Sequence, residues 1–401
     1  MKTPKKFPVA SPKALGLCPR RTQQLIDGFQ ASIDRQHLPG AVMLIARHGK
    51  LALLQALGAQ DPQQGTPMQT DSIFRIYSMT KPIVSVAVMM LMEQGRLMLA
   101  DPVAKYLPEF SSQRVAEFDA ANHMTLRAPK RAATVQDLLR HTAGLTYQFT
   151  GEGPLRQLYA DANIRSLQRT NEEFSQTLAG IPLMFDPGRM WEYSHATDVL
   201  GRLVEVISGQ SLSAYLQQHI LSPLGMHDTG FVVPPEQHGR IAEAFAKDPD
   251  GGELMRLIDH KVHNPMASGG GGLASTALDY ARFLQFMLNQ GELDGVRLLS
   301  PATVALMTAD HLGAIPVNGS PDTGMLPAGH GFGLGFAVRT HAGLAPLPGS
   351  VGMYYWSGIA GTVFFVDPAK DFFAVLLTQA PNQRDLYRQL FRQMVYAALL
   401  D

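Results

Sequence analysis

Strand-forming residues lie at both ends of this 401-residue chain, whereas its middle has the periodicity of helices. Two apolar runs near the start flank His48-Gly49, as in a hairpin with a tight turn. Three more apolar runs lie near the end. The five predicted strands are residues 41–46, 51–54, 333–338, 361–366 and 372–377. Because strands must pair and a sheet must be covered, this order predicts one antiparallel sheet, assembled from the two chain ends and flanked by helices.

Helical periodicity accounts for much of the remaining chain. The predicted helices are residues 19–36, 135–140, 196–207, 213–219, 277–288 and 385–400. No internal repeat or low-complexity linker separates these elements. We therefore expect an α/β protein of the α+β type whose sub-domains are interleaved in sequence.

The overall composition excludes several classes of partner. With 45% hydrophobic and 17% charged residues, the chain can bury a large core, and its length suits two sub-domains. Lys plus Arg (34) equals Asp plus Glu (34), and no long charge run occurs, which argues against nucleic acid or an anionic membrane surface as partner. The lone Cys18 excludes an intrachain disulfide and a multi-cysteine metal site, so we interpret it as a thiol without a role.

The chain is expected to be cytoplasmic. Pro4, Pro8 and Pro12 interrupt the N-terminal segment, which therefore lacks the apolar core of a signal peptide. The most apolar window, residues 83–92, is too short to cross a bilayer. No membrane partner is predicted.

The segment Ser78-Met79-Thr80-Lys81 carries the most chemical information. A serine and a lysine three positions apart project from the same helix face, and Pro82 suits the first turn of the apolar stretch that follows. Ser78 would then lie at a helix N-terminus, where backbone donors can hold an oxyanion, and a buried Lys81 could accept the serine proton. About one such spacing occurs by chance in a chain this long, so the other motifs decide.

Later motifs follow the order seen in one superfamily. Tyr193-Ser194-His195 comes after a turn, and Trp356-Ser357-Gly358 follows late in the chain. The order resembles that of serine β-lactamases and penicillin-binding proteins, which have S-x-x-K, then Y-x-N, then K-T-G. These particular versions resemble family VIII carboxylesterases, the esterase branch closest to class C β-lactamases.

Further segments extend the resemblance over most of the chain, namely residues 95–108, 134–145 and 269–279. The glycine run 269–272 lacks the Lys and Ser/Thr of a phosphate loop, so we do not interpret it as a nucleotide site. Thr276 with Asp279 is interpreted as a helix N-cap and its partner. His141 lies in a structural segment and is interpreted as a hydrogen-bonded core histidine.

The resemblance implies a β-lactamase-like fold with the active site between two sub-domains. Residues 1–88, 138–185 and 255–401 would form a discontinuous α/β domain with the antiparallel sheet. Residues 89–137 and 186–254 would form an all-helical sub-domain.

The resemblance also implies the roles of the motif residues. Ser78 would be the acylated nucleophile, with Lys81 and Tyr193 relaying its proton, and which of the two is the base stays open. The oxyanion hole would consist of the backbone N–H groups of Ser78 and Ile359. The sequence indicates no Ser-His-Asp arrangement and contains no G-x-S-x-G elbow. The histidines show no metal-binding spacing, and neither a cofactor nor a metal is expected.

Two positions depart from the lactamase pattern. Trp356 replaces the lysine of K-T-G, and His195 replaces the asparagine of Y-x-N. A cation suits a substrate carboxylate, whereas an indole offers an apolar wall with one N–H donor. With Met353, Tyr354 and Tyr355 beside Trp356, the cleft is expected to prefer an uncharged acyl or alcohol group.

The sequence thus predicts a serine carboxylesterase that acts on neutral, short-chain esters through an acyl-enzyme on Ser78. The candidate substrate-binding residues are Trp356, Ser357, Gly358, Tyr147, Phe149 and His195. For Tyr147 and Phe149 simple packing is an equal alternative, and His195 would either face the substrate or brace its loop. The competing functions are a β-lactamase or DD-peptidase, an acyltransferase, and a catalytically silent binding protein on the same fold.

Overall fold

The structure of the protein, a computed structural model, describes residues 6–318 and 325–401. Residues 1–5 of the N-terminal segment interpreted above lie outside the described residues. The α-helices of the described chain are α1 (Pro19–Asp34), α2 (Thr80–Glu93), α3 (Val135–Leu139), α4 (Pro154–Asp161), α5 (Asn171–Ala179), α6 (Ala196–Ser208), α7 (Leu212–Leu216), α8 (Ser222–Leu224), α9 (Ala277–Leu288), α10 (Pro301–Met307) and α11 (Arg384–Ala398). Its strands are β1 (Gly40–Arg47), β2 (Lys50–Asp61), β3 (Thr66–Pro67), β4 (Phe74–Arg75), β5 (Val115–Phe118), β6 (Met124–Arg127), β7 (Ala274–Ser275), β8 (Glu292–Leu293), β9 (Val296–Arg297), β10 (His330–Phe332), β11 (Ala337–Arg339), β12 (Tyr354–Ser357), β13 (Val363–Asp367) and β14 (Phe372–Leu377).

Eight of the described strands form one sheet in the order β10-β11-β12-β13-β14-β1-β2-β3, and each neighbouring pair is antiparallel. The two chain ends meet where β1 pairs with β14, with Val42 opposite Leu377 and Leu44 opposite Val375. The predicted antiparallel sheet built from both ends is therefore confirmed.

Every residue of the central strands β1 and β14 is buried. Since successive side chains point to opposite faces of a strand, both faces of the sheet are covered here. Val42 and Leu44 of β1 face the larger core, which contains α2 and α9. Met43 and Ile45 face the smaller core, which is covered by α1 and α11. The fold is thus a sheet between two helical layers.

The strand predicted for residues 333–338 is wrong. β10 and β11 pair with Phe332 opposite Ala337, and residues 333–336 form the connection between them. Gly335 has φ +107°, a conformation that L side chains rarely adopt, so the backbone turns here. Alternating apolar residues concealed a turn that only the two glycines indicated.

Helix α2 occupies the centre of the larger core. All residues from Thr80 to Leu91 are buried, and α2 packs against α6 and α7. A helix that is apolar all round suits such a position.

The segment 89–137 is predicted from the sequence to be helical. It contains the end of α2, two short 3₁₀ turns, the β5–β6 hairpin and the start of α3. The sub-domain boundaries stay a prediction.

Asp137 ties the start of α3 to its surroundings. Thr134 and Asp137 form a capping box, and the Asp137 carboxylate also accepts hydrogen bonds from Arg131, Arg140 and Thr142. Burial opposes the charge, but these donors outweigh it and lower the pKa of Asp137 to about 2.

We expect Asp137→Asn to reduce the free energy of unfolding at pH 7 by about 2 kcal/mol. A carboxyl whose folded pKa is depressed stabilises above its unfolded pKa, and that stability is lost as the pH falls from about 4 through about 2. Urea unfolding at a series of pH values should therefore show the two proteins converging in acid. The exposed Asp27→Asn serves as control and should change little. If the free energies of unfolding of the wild type and Asp137→Asn differ by the same amount at pH 7 and pH 2, the proposed role of this charge is wrong.

Candidate active site

Ser78 lies in the 3₁₀ turn Tyr77–Met79 that leads directly into α2. The preceding Tyr77 has φ +44°, an uncommon conformation for a residue with a side chain, and its hydroxyl accepts a hydrogen bond from the Ile258 amide at 2.9 Å. Between residues 72 and 91, Ser78 alone is partly exposed and every other residue is buried. The strained turn thus presents the Ser78 hydroxyl at the end of a buried helix.

Lys81 is fully buried one turn further on, as the S-x-x-K spacing predicts. Its Nζ lies 3.3 Å from Ser78 Oγ, 3.1 Å from the Tyr147 hydroxyl and 2.7 Å from the Gly270 carbonyl oxygen. Three polar partners compensate the burial of an amine. The serine and the lysine are therefore within hydrogen-bond reach of each other.

Tyr193 lies just before α6 and is buried against the same lysine. Lys81 Nζ is 4.6 Å from the centroid of the Tyr193 ring. The Tyr193 hydroxyl accepts a hydrogen bond from Trp356 Nε1 at 3.2 Å. Its phenol oxygen is thus oriented by the indole, and its ring covers the lysine.

The segment after β12 lies beside the nucleophile. A Cβ at Gly358 would lie 2.3 Å from the Ile76 carbonyl oxygen, so only glycine permits this approach. The Gly358 amide donates to the Thr362 carbonyl. The next residue, Ile359, is the first residue of the turn that follows β12. Ser357 is half-buried and pairs with Val363. The predicted Trp356-Ser357-Gly358 segment and the Ser78 turn are thus neighbours.

The neighbours of Trp356 differ from the expectation. Trp356 and Tyr354 are buried in the larger core, but Met353 belongs to the smaller core, and Tyr355 lies over the guanidinium of Arg392. Alternation along β12 turns Tyr355 to the opposite face from Tyr354 and Trp356, but the rings of Tyr355 and Trp356 remain neighbours at a centroid distance of 6.5 Å. The prediction that residues 353–355 lie beside Trp356 is therefore wrong only for Met353, which belongs to the smaller core.

Tyr147 and Phe149 lie together at the site. Their rings stack at a centroid distance of 4.7 Å, and 43% of Phe149 is exposed whereas Tyr147 is buried. The Tyr147 hydroxyl reaches Lys81, a contact that the sequence did not indicate. Burial, with the nearby negative charge of Asp198, raises the pKa of Tyr147 well above its ordinary value, so the phenol stays protonated.

His195 lies behind Tyr147, with a ring-centroid distance of 4.2 Å. It is buried, and its Nδ1 lies 2.9 Å from Asp198 Oδ2. Burial lowers the pKa of His195 although Asp198 opposes the shift, so the imidazole is neutral and Nδ1–H donates to the carboxylate. Of the two alternatives for His195, these contacts are those of a residue that braces its loop.

His141 lies on the other side of Tyr193, with a ring-centroid distance of 5.1 Å. It is buried, its Nδ1 lies 3.1 Å from Ser194 Oγ, and burial lowers its pKa well below the ordinary value. A neutral hydrogen-bonded core histidine was the interpretation from sequence, and these contacts agree with it.

Sequence reasoning missed Asp198, Ser268 and the role of Gly270. Asp198 Oδ1 accepts hydrogen bonds from Ser268 Oγ at 2.6 Å and from the Gly270 amide at 2.8 Å. Burial would raise the pKa of Asp198, but His195, Lys81 and Ser268 together hold it below its ordinary value. The available signal was an aspartate five residues after Tyr193 on the buried face of α6, which alone does not indicate a site.

Within residues 6–318 and 325–401, no group of three or more His, Cys, Asp or Glu side chains is placed to hold a metal ion. No helix among the same residues combines the length and apolar character needed to cross a membrane.

Comparison with known proteins identifies relatives over nearly the whole chain. The model of the Beta-lactamase family matches residues 22–398. Esterase EstB from Burkholderia gladioli is 34% identical over 370 residues, which cover 87% of this chain and 88% of EstB.

Two solved structures are similar to the fold of this chain. EstCE1, described as a hydrolase with promiscuous acyltransferase activity, has a TM-score of 0.75 at 28% identity and covers 94% of this chain and 99% of its own. Simvastatin synthase (LovD) from Aspergillus terreus has a TM-score of 0.78 at 27% identity and covers 94% of this chain and 98% of its own.

Proposed function

The chain belongs to the beta-lactamase family, and from that premise we propose that it is a serine carboxylesterase that hydrolyses neutral esters of small size through an acyl-enzyme on Ser78. The observation that carries the proposal is the contact set of Lys81, whose Nζ lies 3.3 Å from Ser78 Oγ and under the Tyr193 ring. Esterase EstB, at 34% identity, supports an ester as the substrate class.

The proposed reaction has two halves. Ser78 Oγ attacks the ester carbonyl, and its proton passes to the Lys81–Tyr193 pair. The oxyanion accepts hydrogen bonds from the Ser78 and Ile359 amides, and collapse expels an alkoxide that takes up the proton. A water molecule then attacks the acyl-enzyme while the same pair takes up its proton. The bond between Ser78 Oγ and the acyl carbon breaks, the proton passes to Oγ, and the acid is released. No cofactor or metal takes part.

Trp356 supports an uncharged substrate. In the position where the lactamase pattern has a cation, this chain has a buried indole whose N–H is already bonded to Tyr193. The guanidinium of Arg388 donates to the Gly358 carbonyl and pairs with Asp385, and its buried Nε has no hydrogen-bond partner among the described residues. At position 356 itself, a substrate carboxylate would meet an indole in place of a cation.

We expect kcat/KM for a butyrate ester to far exceed kcat/KM for a chromogenic cephalosporin. The ratio of these two values should be smaller in Trp356→Lys than in the wild type. A charge-assisted contact contributes about 1.5–3 kcal/mol, or on the order of 10–10²-fold in kcat/KM. Trp356→Phe is the matched control, because it removes the N–H bond to Tyr193 without adding a cation and should affect both substrates alike. If the wild type has the higher kcat/KM for the cephalosporin, the esterase proposal is wrong and the protein is a β-lactamase.

Acyl transfer to an alcohol is the second candidate function. EstCE1 is described as having promiscuous acyltransferase activity, and simvastatin synthase is a structural neighbour. Both reactions share the acyl-enzyme and differ only in whether water or an alcohol attacks it. Adding an alcohol acceptor to the same ester assay separates them: free acid as the main product supports the esterase, and a predominant new ester supports the transferase.

A further inference from the structure

A buried carboxylate that the proposed proton relay does not use lies next to it. Asp198 is the third residue of α6, and only 3% of it is exposed. It accepts hydrogen bonds from His195 Nδ1, Ser268 Oγ and the Gly270 amide at 2.6–2.9 Å. Burying an ionised carboxylate is costly unless it is paired, so the burial of Asp198 depends on these three donors.

The backbone of Gly270 connects Asp198 to Lys81 through the two peptide groups that flank its Cα. Its N–H donates to Asp198 Oδ1 at 2.8 Å, and its carbonyl oxygen accepts from Lys81 Nζ at 2.7 Å. A Cβ at position 270 would lie 2.6 Å from Asp198 Oδ2. A side chain at this position would therefore push the Gly270 backbone away from the carboxylate and shift the carbonyl oxygen that holds the lysine.

Three titratable groups around Asp198 are neutral. Burial lowers the pKa of His195 on its own turn and of His141 on the facing loop, and burial with the Asp198 charge raises that of Tyr147. Two cations act in this region: the charge of Lys81 on α2 acts on Asp198, and the charge of Arg165 acts on His195 and Tyr147. Asp198 is thus a full negative charge that faces the lysine across the backbone of Gly270.

We propose that Asp198 is a positioning residue that, through the backbone of Gly270, holds Lys81 against Ser78 and sets the pH at which Ser78 becomes a nucleophile. This inference rests on the proposed roles of Ser78 and Lys81. The negative charge of Asp198 stabilises positive charge beside Ser78, where the serine proton is received. Replacing Asp198 by an uncharged residue is therefore expected to change the pH dependence of the reaction at Ser78.

The decisive experiment follows the pH dependence of Ser78 phosphonylation in the wild type and in Asp198→Asn. A fluorophosphonate forms an Oγ–P bond and releases fluoride, and intact-protein mass spectrometry gives the rate. The asparagine keeps an oxygen for the Gly270 and Ser268 donors while removing the charge. We expect the acid limb of the rate profile to move by about one unit to lower pH. If the acid limb of the pH–rate profile lies at the same pH in Asp198→Asn as in the wild type, the inference is wrong, even if both the phosphonylation rate and the Tm are lower.

Gly270→Ala tests the backbone connection between Asp198 and Lys81 without changing Asp198 itself. Its methyl group would displace the Gly270 carbonyl from Lys81, and a shift of about 1 Å can cost 10²-fold, so we expect at least a tenfold loss in phosphonylation rate. Gly271→Ala is the matched control, because its Cβ would meet its nearest neighbour at an ordinary 3.6 Å. Equal effects of the two substitutions would overturn the link.

Ester hydrolysis by the wild type is measured separately, which keeps the two proposals distinguishable. If the wild type is phosphonylated but does not hydrolyse esters, the proposed function fails, and the acid limb still decides the role of Asp198. If the wild type hydrolyses esters and the limb does not move, only the inference about Asp198 fails.

Discussion

Ser78→Ala is expected to lower ester turnover by on the order of 10⁴-fold or more, because the acyl group then has no acceptor oxygen and the proton relay has nothing to deprotonate. Incubation with a fluorophosphonate or a slowly turned-over ester should give one covalent adduct in the wild type by intact-protein mass spectrometry. The adduct should be missing in the variant.

Ser85→Ala is the matched control for this loss. Ser85 is a buried serine two turns further along α2, where it packs near Gly335. Its substitution should leave both adduct and turnover in place. An adduct that persists in Ser78→Ala would show that another residue is the nucleophile.

The second large effect concerns the proton relay, for which Lys81→Met and Tyr193→Phe should each reduce kcat by at least about 10²-fold. Methionine is preferable to alanine at position 81, because Lys81 is completely buried and alanine would leave a cavity. Tyr193→Phe removes the oxygen to which Trp356 Nε1 donates. Circular dichroism and Tm measurements should show folded proteins, so that the loss in kcat is assigned to the chemistry.

Tyr147→Phe separates the two tyrosines at Lys81. The Tyr147 hydroxyl is 3.1 Å from Lys81 Nζ, but its raised pKa keeps it protonated, so we expect a loss of only about tenfold. If Tyr147→Phe proved more damaging than Tyr193→Phe, Tyr147 would take the place of Tyr193 in the relay.

Much of the fold could be predicted from the sequence because the relevant rules are local. The predicted helix at residues 277–288 matches α9, and the strand at residues 372–377 matches β14. The family resemblance, which rested on the order of S-x-x-K, Y-S-H and W-S-G, is confirmed by the match to the Beta-lactamase family. The strand predicted for residues 333–338 was wrong because a glycine turn interrupts an otherwise apolar run.

Of the candidate site, the sequence determined the pair Ser78 and Lys81, because a helical turn brings residues three apart together whatever the rest of the chain does. Only the tertiary structure decided which groups meet that lysine. Tyr147 and Gly270 are 66 and 189 positions away from it in the chain, and Trp356 is 163 positions from Tyr193. No periodicity or local spacing encodes contacts over such separations, since they depend on how α2, α6 and β12 pack together. For the same reason Asp198 is an ordinary helix residue in the sequence and a buried charge facing Lys81 only in the folded protein.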